Sequence, residues 1–559
     1  MTDFKELSQQ ELIEYIQVLE KRRKFGLVWN EEFSREENST FVRETIPLLR
    51  PLEALNIHDD SNDPNVLIKG ENIDTLRILR YSHSKSFDVI YIDPPYNTGN
   101  RDFKYNDQWV DSEDPYRHSK WLTFMETRLK IAKELLDPEG LIFISIGDDE
   151  GARLQVLADQ IFGEVNRIGP LIWFYEGVND NNAYVKKTHE YILVYQASRE
   201  VELSKTLKDP NVELDDIIEN SVVKNGPKNP PSSVQLPVGF PAYFKKGTIA
   251  RNLITSLSYS DDLVVEDFKL VNSVTVTSGW SSKGILNDFI NSNFEKVLDS
   301  KGQLTEFGIT SAGNINYRKN RDQSYVLSVL RNLGTVANAG ADLKSRGIDF
   351  NYPKPVGLIK YLIAMHGNKD ALVLDFFAGS GTTGEAVLSL NQEDGGKRSF
   401  ILVTNNEGEI FDEVCYPRIK SSIKGYSRKK EKVAGLGGRL VVYEVVETQR
   451  IKNPDEAAFR FAEDSIELIK LRHNNFDVRI ETQSFIVLAN NHSAIGIFFD
   501  PDPANLEEFQ RAIAKFVQPK IVYLFSLASD GSSLADDINF NVQKIDFFPT
   551  KILSVLTRK

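Results

Sequence analysis

Asp93-Pro94-Pro95-Tyr96 follows directly on the apolar run Asp88-Val-Ile-Tyr-Ile92, and these four residues carry the groups needed to hold an aromatic amine. The run reads as a buried strand, and in an open parallel sheet ligands bind beyond the carboxyl ends of the strands. An exocyclic aromatic amine is a poor nucleophile because its lone pair is delocalised into the ring. If Asp93 accepts one N–H and the Pro94 carbonyl the other, the nitrogen is drawn toward a tetrahedral shape and its lone pair is released. Pro94 and Pro95 fix φ and remove backbone donors, so carbonyls face the amine. Tyr96 can stack on a base, an interaction worth about 1–3 kcal/mol. Inside a duplex such an amine is out of reach, so its base must first be flipped out. A rigid turn after a strand is the competing reading of the same four residues.

A second block, Leu372-Val-Leu-Asp375-Phe-Phe377-Ala378-Gly379-Ser-Gly381-Thr382-Thr383, reads as a strand that ends in a glycine turn and opens a helix. Gly379 and Gly381 let the backbone approach a ligand, and the helix start presents free amides. With Gly384 the block also spells G-x-G-x-x-G. A dinucleotide fold would use that turn for a pyrophosphate and place an acid about 20 residues on. The next apolar run, 400–403, ends in Thr404-Asn405-Asn406-Glu407, which leaves a nicotinamide-dependent oxidoreductase open on this motif alone.

The elements that must position these blocks alternate in type. Between about 66 and 198, apolar runs at 66–68, 87–92, 141–146, 168–175 and 190–195 are separated by helical patterns at 72–79, 121–136 and 150–162. Such alternation predicts a mostly parallel sheet covered on both faces. From about 200 to 345 the pattern dissolves around Pro227, Pro230, Pro231, Pro237 and Pro241, with one short helix expected at 285–294, and reads as a loop-rich insertion. Sheet character returns at 371–375 and 400–403. A smaller α/β unit follows from about 448, with strands expected at 485–488, 494–499 and 520–525 and a helix at 504–516. An amphipathic helix is expected at 5–24.

The chain has 559 residues, enough for two to four structural units, and its 41% hydrophobic and 26% charged residues are those of a globular protein. The net charge of -13 argues weakly against a generic nucleic-acid binder. Basic clusters at 21–24, Lys186-Lys187, Lys245-Lys246, Arg318-Lys319-Asn320-Arg321 and 428–432 can nevertheless hold phosphates locally, although each taken singly also reads as a solvated face. One cysteine, Cys415, excludes a disulfide framework and suits a reducing compartment. No signal peptide or membrane span is apparent, so a cytoplasmic location is expected. No His/Cys/carboxylate set has metal-ligand spacing, so no metal is expected. Trp121 reads as core packing, Asp148-Asp149 as an acidic helix cap and His189 as structural; nothing distinguishes His118.

Taken together, the two blocks resemble the β class of S-adenosylmethionine-dependent amino-methyltransferases, in which the Asp-Pro-Pro-Tyr block precedes the Phe-x-Gly-x-Gly block. The likeness extends through Asn97-Thr-Gly99, Lys69-Gly70-Glu71-Asn72, Gly140 to Asp149, His189 to Tyr195, Gly279-Trp-Ser-Ser-Lys283, Tyr352-Pro353-Lys354-Pro355 and Glu20 to Trp29. This run is similar to modification subunits of type III restriction–modification systems as far as about residue 445. The resemblance implies a Rossmann-like methyltransferase fold with an inserted target-recognition domain and a small C-terminal α/β domain. It divides the chain into an N-terminal helical arm (1–60), a catalytic half (61–198), a target-recognition domain (199–345), a cofactor half (346–447) and an interaction domain (448–559).

It implies transfer of a methyl group from S-adenosylmethionine to the amine of adenine in a specific sequence of double-stranded DNA. Adenine is preferred over cytosine because Asp rather than Ser precedes the prolines. Asp93, Pro94, Pro95 and Tyr96 match the catalytic motif. Asp375, Phe377, Ala378, Gly379, Gly381 and Thr382 match the cofactor turn, with Asn72 and Pro353 beside it and Asn405, Asn406 or Glu407 for the ribose. A homodimer and a helicase-nuclease restriction subunit are the partners the resemblance implies. An RNA methyltransferase and a DNA-binding specificity subunit without catalysis are the remaining alternatives.

Overall fold

The computed structural model describes residues 45–59, 64–99, 104–105, 108–110, 113–175, 185–201, 207–211, 217–253, 256–300, 302–320, 325–428, 431–449, 454–500, 505–526 and 542–556. The helix expected at 5–24 and its basic end lie outside the described residues. The chain divides into two compact units, Lys208–Val326 on its own and the segments Met1–Leu207 and Leu327–Lys559 together.

The larger unit is built on a ten-stranded sheet. In chain order its strands are β1 (Thr45–Pro51), β2 (Pro64–Lys69), β3 (Phe87–Ile92), β4 (Leu136–Ile146), β5 (Arg167–Phe174), β6 (His189–Gln196), β7 (Val329–Leu330), β8 (Leu372–Asp375), β9 (Ser399–Thr404) and β10 (Arg439–Gln449). They lie in the spatial order β1-β10-β2-β9-β8-β3-β4-β6-β5-β7. From β10 to β4 every pairing is parallel. The β6 strand runs antiparallel to both its neighbours, and β1 is antiparallel to β10.

Parallel strands need crossovers, which bury both faces of the sheet. That is why β3 reads Val89-Ile90-Tyr91-Ile92 without polar interruption and all four residues are buried. On one face Ile90, Ile92, Ile401 and Val403 join the cluster of α1 (Asn72–Ser82), α2 (Arg117–Leu135) and α3 (Gly151–Ala158). On the other, Phe400 and Leu402 meet α6 (Thr382–Asp394) and α7 (Tyr416–Lys424) so closely that a Cβ on Gly384 would lie 2.5 Å from Ile419 and 2.9 Å from Leu402. Two further helices, α4 (Val336–Ser345) and α5 (Val356–Ala364), precede α6, and α5 packs on it.

The helical arm expected over 1–60 is corrected at its end, because Thr45–Pro51 is a strand. Ile46, Leu48 and Leu49 are all buried there, which an edge strand covered by α8 (Pro454–Arg472) provides. The stretch 327–345 belongs with the larger unit through β7 and α4. After α8 come β11 (Val478–Glu481), β12 (Phe485–Ala489), β13 (Ala494–Phe498), α9 (Leu506–Ala514), β14 (Lys520–Ser526), β15 (Lys544–Pro549) and α10 (Thr550–Leu556). The five strands form one sheet, whose inner face (Ile486, Leu488, Ile495, Tyr523) shares a hydrophobic cluster with α8, α1 and the main sheet. Its outer face is covered by α9, with Phe509 between Phe485 and Phe498.

The smaller unit holds three sheets of three, three and four short strands and a helix at Lys283–Asn291. Phe240, Phe289, Phe307 and Val276 lie in its core.

Candidate active site

Val373 pairs with Val89 and Leu374 with Ile90, so β8 and β3 end side by side at the same edge of the sheet. The strand ends thereby bring the glycine turn and the Asp-Pro-Pro-Tyr segment together. Trp121, fully buried in α2, donates its indole N–H to the Pro95 carbonyl at 2.8 Å. It therefore packs in the core as expected and also fixes the Asp-Pro-Pro-Tyr segment. Tyr96 lies against Gly147, where a Cβ would stand 3.0 Å from its ring.

Asp93 lies next to two residues that the motifs alone do not single out. Lys354 Nζ is 3.0 Å from Asp93 Oδ2 and 3.1 Å from Glu190 Oε2. It also donates to the Tyr96 hydroxyl at 3.0 Å, and that hydroxyl donates to Glu190 at 2.8 Å. The other carboxylate oxygen, Asp93 Oδ1, is buried and has no hydrogen-bond partner. Burial pushes the Asp93 carboxyl above its usual value; Lys354 pulls it back and Glu190 pushes it further up. Burial also holds the Tyr96 and Tyr91 phenols well above their ordinary value, so both stay neutral.

The next residue, Asn97, adopts φ 56° and is fully buried. It donates to Glu150, which also bonds His118, so the loop after Tyr96 is tied to the start of α3. His118 thus has a structural partner that no local pattern reveals.

The glycine turn is held from behind. Asp375 accepts from the Phe377 amide at 3.0 Å and from the Thr383 hydroxyl at 2.5 Å. Gly379 (φ 50°) and Gly381 (φ 77°) take left-handed conformations that suit glycine. Thr382 is buried, with its hydroxyl spent on the Lys354 carbonyl at 3.3 Å and on Arg418 at 2.7 Å, so the turn and Lys354 are mechanically linked. Arg418, nearly inaccessible, also binds Ser380 and Glu385.

Asn72 donates to the Phe376 carbonyl and accepts from Arg128, whose guanidinium covers Phe124. Phe124 in turn faces Phe377 with ring centroids 6.0 Å apart. Asn405 donates to Glu71 at 2.9 Å across the ends of β9 and β2, whereas Asn406 is taken up by local bonds to Asp412 and Phe411. Pro353 is buried beside Lys354. Phe350 comes within 3.8 Å of a Cβ placed on Gly379, and with Asp349, Asn351, Glu407, Gly408 and Ile410 it lines a pocket of about 250 Å³.

Burial pushes Asp375 up to about 7, which the bonds from Thr383 and Phe377 only partly offset. A carboxyl whose folded-state pKa is raised contributes stability that is complete below its unfolded value, 3.8, and is lost as pH rises through about 7. Asp375→Asn, which keeps the shape without the charge, is therefore expected to gain stability relative to the parent as pH rises across that window. Melting temperatures of both proteins against pH test this, and a constant difference contradicts it.

Among the described residues no group of three or more His, Cys, Asp or Glu could hold a metal ion, and no helix is long and apolar enough to cross a membrane. A family model described as DNA methylase matches residues 87–413, more than half of the chain. The chain is 30% identical over 442 residues to the EcoPI Mod subunit of a type III restriction-modification enzyme from Escherichia phage P1, a match covering 68% of this chain and 66% of that protein. It is 32% identical over 413 residues to the StyLTI Mod subunit from Salmonella typhimurium, covering 66% and 57% respectively. In both cases the chain spans less than two thirds of the relative's length. With the type II methyltransferase M.KpnI of Klebsiella pneumoniae it is 30% identical over 408 residues, covering 70% of this chain and 89% of that one. With the family match and the site geometry in agreement, the chain belongs to the DNA methylase family.

Proposed function

We propose that the chain transfers a methyl group from S-adenosylmethionine to the exocyclic amine of adenine in a specific sequence of duplex DNA. In this reading it is the modification and specificity subunit of a type III restriction–modification system. One observation carries the chemistry: a buried, unpartnered carboxylate oxygen, Asp93 Oδ1, lies at the end of a strand whose parallel neighbour ends in the glycine turn.

The residues fit a cationic, adenosine-bearing donor. Asp375 places a carboxyl at the end of β8, directly before the glycine turn, on the side where a positive charge is favoured. The turn at Gly379 and Gly381 opens α6, whose first amides have no acceptor within the helix. Phe377 and Phe350 offer aromatic faces, and the Asn405–Glu71 pair offers polar partners for a ribose. When bound, S-adenosylmethionine supplies an electrophilic methyl carbon on a sulfonium.

Everything else falls to the protein. Asp93 Oδ1 and the Pro94 carbonyl accept the two N–H bonds of the amine, while the Tyr96 ring supports the flipped base. As the nitrogen gains positive charge, the Asp93–Lys354–Glu190 group, with a net charge of about -1 when all three are ionised, stabilises it without reorganising. Base recognition is assigned to the unit at 208–326, with Lys245 and Lys246 exposed on it. Dimerisation and a restriction subunit in a second chain complete the proposal.

The test is direct. The full-length chain is incubated with duplex DNA and donor labelled in the methyl group, and the DNA is digested to nucleosides. Label in N6-methyladenine is expected. Label in N4-methylcytosine, or in RNA alone under competition, overturns the reading.

A further inference from the structure

The contacts of Asp93 imply a division of labour within the catalytic segment. Its Oδ2 is held by Lys354, its Oδ1 is left bare, and Lys354 is itself shared with Glu190 and the Tyr96 hydroxyl. The Lys354, Glu190 and Asp93 side chains are 9%, 16% and 26% exposed, so water screens these charges only in part. Lys354 comes from the segment before α5, Glu190 from β6 and Asp93 from the end of β3.

We propose that Lys354 and Glu190 are positioning residues for the methyl transfer. Lys354 fixes Asp93 by Oδ2 so that Oδ1 alone meets the amine, and the balance between Lys354 and Glu190 sets whether Asp93 is ionised. The inference rests on the proposed reading of this site as an amino-methyltransferase.

The physical reason is charge pairing. One ammonium about 3 Å from each of two carboxylates offsets their repulsion. Without the ammonium, Asp93 is left with its burial and the charge of Glu190, both of which favour its protonated form. A protonated Asp93 offers a donor where the amine needs an acceptor. The neighbouring groups do not replace the lysine. Tyr91, Tyr96 and Tyr175 are all pushed up by burial and stay neutral, and Asp375 adds negative charge rather than positive. Burial lowers the Lys354 ammonium, yet Asp93 and Glu190 together carry it above its ordinary value, so the lysine stays charged.

Two substitutions then have opposite signs. In Lys354→Met the acid limb of the pH–rate profile, set by Asp93 ionisation, moves to higher pH by about 1–3 pH units, with at least about a tenfold loss of rate at neutral pH. In Glu190→Gln the lysine serves Asp93 alone, and the same limb moves to lower pH. A purely structural role would lower the rate in both without moving either limb.

A second readout needs neither donor nor DNA. In unliganded Lys354→Met a carboxyl with a raised folded-state pKa contributes stability at low pH that is lost as pH rises. The melting temperature therefore falls relative to the parent as pH rises above the ordinary carboxylate range, and the double variant Lys354→Met/Glu190→Gln recovers most of that slope. Unmoved pH limbs, or a Lys354→Met melting profile parallel to the parent's, overturn the inference. A parent chain inert on DNA counts instead against the methyltransferase reading, and the melting profiles then decide the charge pairing by themselves.

Discussion

Asp93→Ala loses methyl transfer to DNA by a factor on the order of 10²–10³ or more, while binding of S-adenosylmethionine changes little. The magnitude follows from the loss of a preorganised acceptor aimed at developing charge in a site shielded from water, comparable to deleting one oxyanion-hole donor. Here the loss is compounded, because Lys354 is left with Glu190 and has no carboxylate to present to the amine. Donor affinity is preserved because the turn at Gly379–Gly381 is held by Asp375, Thr383 and Arg418, none of which bonds Asp93. Asp93→Asn separates shape from charge: it keeps the volume, yet its amide repels the N–H it should receive. Single-turnover rates with calorimetric donor binding decide the matter, and turnover near the parent's rate would remove Asp93 from the mechanism.

The second large effect lies behind the glycine turn. Arg418 is 1% exposed and binds Glu385 Oε2 at 2.7 Å, the Ser380 hydroxyl at 2.9 Å and the Thr382 hydroxyl at 2.7 Å. Arg418→Ala deletes one partner of a buried ion pair and removes an N–H donor from two hydroxyls of the turn. The expected loss of stability is about 3–5 kcal/mol, the range for breaking such a pair. Arg346, 2.6 Å from Glu385 Oε1, keeps that carboxylate partly compensated and places the loss at the lower end. Since Ser380 and Thr382 belong to the turn that would hold the donor, donor affinity should fall together with stability. Chemical denaturation with and without donor measures both, and a change below about 1 kcal/mol would contradict the assignment.

These two variants probe different kinds of knowledge. Asp93 is visible in the sequence because its setting is local. A run without polar interruption must be a strand buried on both faces, and the two prolines after it stop the strand at a defined point. The same holds for the turn at 375–384, where glycines and the helix that follows are contiguous in the chain. The strands at 141–146 and 400–403 fall close to their expected places for the same reason.

Arg418, Lys354 and Glu190 offer no such signal. Lys354 and Glu190 fall inside stretches that carry the family likeness and Arg418 in none, but nothing beside them in the chain says which charge each will meet, and a lone charge usually faces water. Likewise Thr45–Pro51 becomes a strand because Arg439–Gln449 lies beside it. In 208–326 the strands are two to six residues each, so the two-residue ones fall below the length at which alternation is readable and the others sit at its lower limit.

What the sequence by itself determined is the pair of chemical motifs and the parallel strands that end in them, since both depend on neighbours in the chain. The tertiary structure alone decided which charges stand around Asp93 and which arginine braces the turn. Charge pairing depends on distance in space, and these partners come from segments far apart in the chain.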